Sequence, residues 1–331
     1  MKEKIGIGIV GFGNLGRGAA LAVQKCGDLE LKAIFTRRDP EALAGQAGGV
    51  QFYHVDQAED FAETIDVLIL CGGSATDLPA QSPFFARRFN IVDSFDTHAK
   101  IPEHFDAVHR SALENRKTAA ISIGWDPGLF SLNRMIAEAI LPEGREYTFW
   151  GPGVSQGHSE AIRRVPGVKG GVQYTIPVQG ALEKVRTGET PLLTAAEKHI
   201  RECYVVAEKG ADQEKIAAAI KSMPHYFAGY ETRVTFISEE ELKAKHSGMP
   251  HGGFVIRSGR TGAPGAEHNQ VMEFSLKLQS NPQFTASVLA AYARAVFRLN
   301  REGHYGAKTI FDIPPAYISM RSVEELRRML L

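Results

Sequence analysis

A glycine pattern close to the N-terminus constrains the fold of this chain more than any other feature. An apolar stretch, residues 5–10, runs directly into Gly11-x-Gly13-x-x-Gly16, and a helical pattern follows it. The first glycine permits a tight turn, the second lets backbone approach a pyrophosphate, and the third lets the helix pack on its strand. N–H groups at the helix N-terminus then face the phosphates. This strand–turn–helix setting predicts a dinucleotide site rather than a glycine-rich turn without a ligand. The predicted contacts are Gly11, Phe12, Gly13, Asn14, Leu15 and Gly16.

The next apolar stretch, residues 29–35, bears on which dinucleotide is bound. It ends at Thr36, Arg37 and Arg38, about 20 residues beyond the last glycine, where an NAD site places a carboxylate for the ribose hydroxyl. A hydroxyl and two guanidinium groups suit the 2′-phosphate of NADP instead. The sequence therefore favours NADP over NAD. The alternative is a solvated basic pair with Asp39 as its counter-charge.

Length and charge narrow the class of protein. The chain has 331 residues, enough for two domains, and 44% of them are hydrophobic. Lys plus Arg equals Asp plus Glu at 38 each, so nothing indicates a nucleic-acid-binding face. We therefore expect a small-molecule partner.

The cysteines, the histidines and the apolar runs argue against a disulfide-rich, a metal-binding or a membrane-spanning protein. Cys26, Cys71 and Cys203 are widely spaced and odd in number, which fits a reducing cytoplasm. We expect Cys203, in an apolar stretch, to be a packing residue rather than a nucleophile. The histidines form no metal-binding pattern, so no metal is expected. No apolar run reaches membrane-spanning length, and the short N-terminal run is interpreted as a first strand rather than a signal peptide.

Residues 1–125 are predicted to form a dinucleotide-binding domain. Apolar strands near 66–73, 90–95 and 118–123 alternate with helical stretches near 76–89 and 102–116. This succession predicts a doubly wound parallel α/β sheet of the Rossmann type, with ligands beyond the carboxyl ends of the strands. Further cofactor contacts are expected at those ends, at Cys71, Gly72, Gly73, Ser74, Ala75, Thr76, Phe95 and Thr97.

The pattern changes in residues 126–281, which are predicted to form an α+β domain on a mostly antiparallel sheet. A helix is expected at 129–140 and charged helices at 194–202 and 212–222. A helix at 283–300 follows, and the segment 282–331 is expected to return to the first domain. The predicted strands of this domain are 146–150, 172–178, 232–237, 254–257 and 270–278.

Two carboxylates follow predicted strands of the first domain. Asp126 and Asp96 would lie above the same crevice, and a pair of carboxylates beside a nicotinamide suits a cationic amine substrate. Asp126 precedes Pro127, so it could equally be a helix N-cap. Asp96 could be a turn residue that bonds its own backbone.

Other polar and aromatic residues could shape a substrate site. The two tryptophans, Trp125 and Trp150, could form flat walls around an extended substrate or belong to the core. Four polar residues of the second domain could bind carboxylates, although each could also be structural: Arg201, Thr175, His251 and Asn281. Arg163 and Arg164 are expected to be a solvated or interface pair.

Several long motifs resemble the meso-diaminopimelate dehydrogenase family over essentially the whole chain. The segments that carry the resemblance are 11–16, 71–77, 124–128, 149–159, 163–168, 197–203, 248–253 and 281–287. Residues 261–269, a glycine-rich connection, are the least familiar part.

The resemblance implies NADP-dependent reversible oxidative deamination of meso-2,6-diaminopimelate at its D-centre, as in lysine biosynthesis. The products would be L-2-amino-6-oxopimelate, ammonia and NADPH. It also implies a homodimer that uses the second domain for contact. Matching positions place Asp96, Trp125, Asp126, Trp150, Gln156 and Gly157 around the D-centre, and Thr175, Arg201, His251 and Asn281 at a carboxylate and the distal L-centre.

The sequence does not decide which group acts as the base, and it leaves two other functions possible. Either aspartate, or a water, could be the base. One alternative is another nicotinamide oxidoreductase that acts on a sugar or a hydroxy acid. A catalytic group of residues around a lysine in the second domain would favour it, and we find none in the sequence. A non-catalytic NADP-binding sensor would bind cofactor without turnover.

Overall fold

The computed structural model describes residues 4–331. The strands are β1 (Ile5–Val10), β2 (Leu29–Thr36), β3 (Phe52–His54), β4 (Val67–Leu70), β5 (Asn90–Asp93), β6 (Thr118–Ala120), β7 (Gly144–Trp150), β8 (Gly153–Val154), β9 (Val168–Pro177), β10 (His199–Ala207), β11 (Thr232–Phe236), β12 (His251–Ala263), β13 (Ala266–Leu278) and β14 (Gly306–Lys308). The α-helices are α1 (Asn14–Gln24), α2 (Leu78–Phe85), α3 (Ile101–Glu114), α4 (Leu129–Ile140), α5 (Gln156–Arg163), α6 (Gln179–Arg186), α7 (Ala195–Lys198), α8 (Gln213–Lys221), α9 (Glu239–Lys245), α10 (Asn281–Arg301) and α11 (Val323–Leu330).

The chain divides into two compact units. The first contains the residues up to Leu132 together with Pro282–Leu331, and the second is Asn133–Asn281. Within residues 4–331, the structure shows no helix that combines the length and the apolar character needed to cross a bilayer.

The first unit is built on a seven-stranded sheet in the order β14-β6-β5-β4-β1-β2-β3. All of its strand pairs are parallel. Ile7 and Ile9 of β1 pack with α1 and α10 on one face, whereas Leu68 and Leu70 of β4 pack with α2 and α3 on the other. Helices therefore cover both faces, and this confirms the doubly wound parallel sheet predicted from the alternating pattern.

The second unit contains two sheets rather than one. The four-stranded sheet has the order β11-β10-β9-β8 and the three-stranded sheet the order β13-β12-β7. The pairing of β10 with β11 is parallel, and the other pairs are antiparallel. Separate apolar clusters lie against the two sheets, one around Ile162, Val205 and Phe227 and the other around Phe149 and Ile256.

Two expectations for this unit are wrong. The helix expected at 194–202 ends with α7, and β10 begins at His199 because its side chains alternate between buried and half-buried positions, as a strand requires. The stretch 261–269 is not a loose connection. It forms the end of a long hairpin in which β12 and β13 stay paired up to Ala263 and Ala266.

Candidate active site

The glycine turn between β1 and α1 has the geometry that its sequence predicts. Gly11 has a φ of +92°, and its N–H donates to the Phe35 carbonyl at 2.8 Å. A Cβ on Gly16 would lie 2.0 Å from the Gly11 carbonyl oxygen, so only glycine fits there. A Cβ on Gly13, by contrast, would meet no atom within 4 Å. Gly11 and Gly16 are therefore needed by the fold, whereas the space beside Gly13 is open to a ligand.

The N-terminus of α1 is arranged to receive an anion. Gly13 is its N-cap, no side chain caps the helix, and its first turn contains no acidic residue. The first N–H groups of a helix have no partner within the helix and carry partial positive charge. These features fit a pyrophosphate at this position.

A cavity of about 310 Å³ extends from this turn across the ends of β2 and β4. Nine of the predicted cofactor contacts line it: Gly11, Phe12, Gly13, Thr36, Arg37, Arg38, Cys71, Gly72 and Gly73. Val55, Asp77 and Gln81 also line it and were not predicted as contacts. Asp77 follows the Cys71–Thr76 contacts directly in sequence, whereas nothing in the sequence singles out Val55 or Gln81.

The two arginines after β2 are held in different ways. Arg38 donates to the Phe12 carbonyl at 2.5 Å, and its backbone N–H donates to the Thr36 hydroxyl at 3.1 Å. Arg37 is mostly exposed and pairs with the Asp77 carboxylate, with N–O distances of 3.0 and 3.2 Å. The counter-charge of Arg37 is therefore Asp77, not Asp39 as the alternative interpretation assumed.

The loops after β4 and β5 are joined to each other by hydrogen bonds. The Asp96 N–H donates to the Ser74 hydroxyl at 2.8 Å, and that hydroxyl lies 3.3 Å from the Thr97 hydroxyl. The Asp96 residue is exposed, whereas Phe95 beside it is buried. The predicted contacts Ser74 and Thr97 therefore come together, and they hold the loop that presents Asp96.

Asp126 lies in a tight turn after β6. Trp125 and Gly128 form a β-bridge around it, and α4 begins only at Leu129. The helix N-cap interpretation of Asp126 is therefore wrong. Trp125 is buried and its ring packs edge-on against Phe130, with centroids 5.2 Å apart. The Asp126 residue itself is half-buried in this turn.

In the second unit, the segment 150–155 contains Trp150 and contacts Thr175 and His251, which are three of the predicted substrate residues. Gly153 pairs with Thr175 of β9. A Cβ on Gly153 would come within 2.8 Å of His251. The Asn281 N–H donates to the Met249 carbonyl at 2.9 Å, close to His251 in the chain.

The start of α5 follows this segment directly. Ser155 caps the helix, and Gln156 and Gly157 form its first turn. A Cβ on Gly157 would meet nothing within 4 Å.

Arg201 is the most unusual side chain of this unit. It is only 9% exposed, donates to the Thr175 hydroxyl at 2.6 Å, and its guanidinium lies 4.2 Å from the centre of the Tyr230 ring. Its buried Nε has no hydrogen-bond partner within residues 4–331, and no carboxylate in that range forms an ion pair with it. Burial lowers the pKa of Arg201, but an arginine remains charged at neutral pH. Buried charges in proteins are normally paired, so this arrangement fits an anionic ligand.

Two histidines near Arg201 are held neutral. Burial lowers the pKa of His199 to about 4, and burial with the nearby Arg201 charge lowers the pKa of His158 to about 4. His199 accepts from the Trp150 N–H at 2.9 Å, and the Trp150 ring stacks on it. His158 lies 2.7 Å from the Ser155 hydroxyl. His199 therefore supports the predicted substrate residue Trp150, His158 supports the cap of α5, and neither imidazole adds positive charge.

Comparison with known proteins identifies the family. Residues 124–280 match the family described as the diaminopimelic acid dehydrogenase C-terminal domain. Over 329 residues, the chain is 62% identical to the meso-diaminopimelate D-dehydrogenase of Acetivibrio thermocellus, covering 99% of this chain and 98% of that one. The chain belongs to the meso-diaminopimelate D-dehydrogenase family.

Solved structures agree with the family assignment. The diaminopimelate dehydrogenase of Corynebacterium glutamicum in complex with diaminopimelate (DAP) is 44% identical, with a TM-score of 0.89 and 99% of each chain covered. An engineered D-amino acid dehydrogenase bound to NADP⁺ is 43% identical, with a TM-score of 0.84 and 99% and 100% of the two chains covered. The resemblance noted from the motifs is therefore confirmed.

Within this member of the diaminopimelate dehydrogenase family, the predicted site residues form separate groups. The first unit holds the cofactor cavity together with the strand-end residues Asp96, Trp125 and Asp126. The second unit holds Trp150, Gln156, Gly157, Thr175, Arg201, His251 and Asn281. Eight predicted cofactor contacts do not line the cavity and lie along the turn or the strand-end loops: Asn14, Leu15, Gly16, Ser74, Ala75, Thr76, Phe95 and Thr97. Tyr230 was not predicted as a site residue because its role depends on its contact with Arg201, and His158 because its pKa depends on burial and on the charge of Arg201.

Three other sequence interpretations concern residues outside the site. Cys203 is buried, and burial raises the pKa of its thiol to about 12, which fits a packing residue. Arg163 and Arg164 both pair with Glu160 on the surface. Within residues 4–331, no group of three or more His, Cys, Asp or Glu side chains could hold a metal ion.

Proposed function

We propose that this protein catalyses the reversible oxidative deamination of meso-2,6-diaminopimelate at its D-centre, giving L-2-amino-6-oxopimelate and ammonia, as in lysine biosynthesis. The observation that carries the proposal is Arg201, a buried guanidinium without a carboxylate partner in residues 4–331. It calls for an anionic ligand in the second unit, while Asp96 and Asp126 supply carboxylates for an ammonium group in the first. Diaminopimelate carries both carboxylates and ammonium groups, and family membership supports it as the substrate.

We propose NADP as the cofactor, held by the first unit. The open space beside Gly13, the uncapped start of α1 and the guanidinium groups of Arg37 and Arg38 fit its pyrophosphate and 2′-phosphate. A related engineered dehydrogenase was solved bound to NADP⁺. When bound, the nicotinamide supplies the hydride acceptor.

The carboxylates after β5 and β6 act on the reacting amine in this proposal. Asp96 and Asp126 attract the ammonium group, and one of them, directly or through a water, accepts one proton from it to leave the neutral amine. The carbon then loses hydride, and the C–N single bond becomes the double bond of a cationic iminium. Water adds to the iminium carbon, a proton moves from the added water to the nitrogen, and ammonia leaves as the oxo group forms and the remaining hydroxyl proton is released. Trp125 shields this end of the substrate from solvent.

The second unit recognises the substrate carboxylate and the distal L-centre. Arg201 and the Thr175 hydroxyl, 2.6 Å apart, would bind the carboxylate together, with His251 and Asn281 beside them. A buried site built to pair charged groups rejects analogues that lack those groups, because its own polar atoms would be left unpaired. This requirement selects a substrate with an amino acid group at each end.

We further propose that the protein is a cytoplasmic homodimer. Family resemblance supports the dimer, and the three widely spaced cysteines, which fit a reducing compartment, support the location. Sedimentation of the purified protein gives the mass in solution, and a monomer at micromolar concentration would contradict the dimer.

The decisive experiment follows NADPH formation by absorbance with meso-, LL- and DD-diaminopimelate offered separately. The proposal expects turnover with the meso isomer and none with the LL isomer, which has no D-centre. NAD⁺ in place of NADP⁺ should give much slower turnover. Tight NADP⁺ binding without turnover on any isomer would overturn the proposal.

A further inference from the structure

Behind the proposed catalytic loops lies a carboxylate that the reaction itself does not use. Asp93 is the last residue of β5 and is completely buried. A buried carboxylate is costly unless hydrogen bonds satisfy it. The hydrogen-bond partners of its two oxygen atoms therefore indicate the role of this residue.

Both oxygens of Asp93 have two partners. Oδ1 accepts from the backbone N–H of Phe95 and from that of Ser122, each at 3.0 Å. Oδ2 accepts from the Ser82 hydroxyl at 2.6 Å and lies 2.8 Å from His104 Nε2. His104 and Ser82 are themselves buried. The carboxylate is therefore a fully satisfied junction inside the first unit.

The two backbone donors belong to the two loops that carry the proposed chemistry. Phe95 immediately precedes Asp96, and Ser122 precedes Trp125 and Asp126 by a few residues. Ser122 has a φ of 56°, which is unfavourable for an L-residue other than glycine. A single carboxyl oxygen thus fixes the start of both loops, one of them in an unfavourable backbone conformation.

The other oxygen connects these loops to the helices of the same face. Ser82 lies in α2 and His104 in α3. The His104 ring also stacks on Phe95, with ring centroids 4.0 Å apart and an interplanar angle of 14°. The loop that presents Asp96 is therefore held both through its backbone and through its aromatic neighbour.

We propose that Asp93 is a positioning residue, which holds the Asp96 loop and the Trp125–Asp126 turn in a fixed relation by binding the N–H groups of Phe95 and Ser122. This inference rests on the proposed function for the roles of Asp96 and Asp126. Reacting groups must be held closely in place, and a displacement of about 1 Å can cost about 100-fold in rate.

The test compares Asp93→Ala, Asp93→Asn and a control, Asp28→Ala. The asparagine keeps an acceptor for both N–H groups, whereas the alanine removes it. Asp28 is also a partly buried carboxylate, paired with Arg294, but it precedes β2 and so lies at the opposite end of the strands from the loops. Its removal destabilises the same unit without touching them.

Two readouts are measured on the full-length protein. Hydrogen exchange reports the protection of peptides that contain Phe95 and Ser122, and steady-state kinetics with meso-diaminopimelate is set beside the Kd for NADP⁺. In Asp93→Ala we expect exchange at least about tenfold faster and a kcat about 100-fold lower, with the Kd changed less than about threefold. Asp93→Asn should restore protection and most of kcat, and Asp28→Ala should retain both.

Unchanged exchange in Asp93→Ala would overturn the inference, as would a parallel loss of kcat in Asp28→Ala. If Asp93→Ala does not fold, His104→Gln replaces it, with a smaller fall in kcat and faster exchange confined to the Phe95 peptide. If the wild-type protein turns over no isomer, the proposed function fails, while the exchange data still decide whether Asp93 holds the loops.

Discussion

In the proposed function, the side chain of Arg201 makes the largest single contribution to substrate binding. Its charge is buried, and the Thr175 hydroxyl and the face of Tyr230 are the neighbours that stabilise it. Neither neighbour carries a full negative charge. A substrate carboxylate would therefore supply the missing counter-charge in a place where water cannot screen it.

Replacing Arg201 by methionine should weaken binding far more than chemistry. Losing one partner of a buried, hydrogen-bonded charge pair costs about 2–5 kcal/mol, so the KM for diaminopimelate should rise at least about 30-fold while kcat falls much less. The matched control is Arg233→Met, an exposed arginine of the neighbouring strand β11 that pairs with Glu231. An unchanged KM in Arg201→Met would remove Arg201 from the carboxylate site.

His199 makes the stability of the second unit depend on pH. Burial holds its pKa at about 4 in the folded protein, against about 6.5 in an unfolded chain. Between these values the unfolded state binds a proton that the folded state refuses, so the free energy of unfolding falls as pH decreases from about 6.5 to about 4. The contribution of His199 to this loss is on the order of 2–3 kcal/mol.

Melting temperatures measured from pH 8 to pH 4 test this dependence. His199→Gln can still accept from the Trp150 N–H and donate to the Ala195 carbonyl, the two partners of the imidazole, but it does not titrate. Its melting temperature should fall less steeply below pH 6.5 than that of the wild type. The exposed His268 provides the control variant His268→Gln, and an equal slope for His199→Gln and wild type would contradict the prediction.

At the scale of elements, the glycine turn separates what the fold needs from what the cofactor needs. Gly13→Ala adds a methyl group where the protein has no atom within 4 Å, so the only expected loss of stability is that of placing alanine at the N-cap of α1, about 1 kcal/mol or less. Forcing an extra methyl into a packed contact costs roughly 1–3 kcal/mol, and the Kd for NADP⁺ should therefore rise at least about fivefold. Gly16→Ala would place its Cβ 2.0 Å from the Gly11 carbonyl and should lower the melting temperature instead.

Thermal unfolding and NADP⁺ titration of the same samples distinguish the two effects. The control is Gly27→Ala, which also meets no atom within 4 Å but lies in the turn before β2, away from the cavity. It should leave both quantities unchanged. A normal Kd in Gly13→Ala would show that the pyrophosphate lies elsewhere.

Elements with a strong periodic pattern were predictable from the sequence, and those defined by long-range contacts were not. Five parallel strands of the first unit (β1, β2, β4, β5 and β6) are short apolar runs, and α10 has a clear helical repeat, so these elements were predicted close to their observed positions. The short strands β3 and β14 were not predicted. The first residues of β10, up to 202, were expected to be helical because charged residues around Arg201 hide the alternation. Its identity as a strand comes from pairing with β9 and β11.

At the scale of the whole molecule, the candidate site was predictable where it rests on local motifs. The glycine turn, the arginines after β2 and the loops at the strand ends are each contained in a few consecutive residues. The neighbours of Arg201 come from β9 and from the turn before β11, and Asp93 receives bonds from four separate segments. No local sequence pattern predicts these contacts, because the residues are far apart in the chain and come together only in the fold.

The last part of the chain, Pro282–Leu331, belongs to the first unit. Replacing one buried arginine of this part should show how much it contributes to the stability of that unit. Arg294 of α10 is 2% exposed, forms an ion pair with Asp28 and donates to the Ile318 carbonyl at 2.9 Å. It thus ties the C-terminal segment to the start of β2. Removing one partner of a buried ion pair costs about 3–5 kcal/mol, and because the Asp28 carboxylate left behind is 32% exposed, we expect the cost here to lie at the lower end of that range.

Arg294→Met should therefore lower the free energy of unfolding by about that amount, and the exposed Arg301→Met on the same helix should change it little. Since Arg294 does not line the cofactor cavity, saturating NADP⁺ should stabilise the variant and the wild type by the same increment, which depends only on ligand concentration and Kd. Urea unfolding with and without NADP⁺ measures both quantities. A loss of the cofactor increment in Arg294→Met would mean that the C-terminal segment shapes the cofactor site itself, and not merely the stability of the unit that carries it.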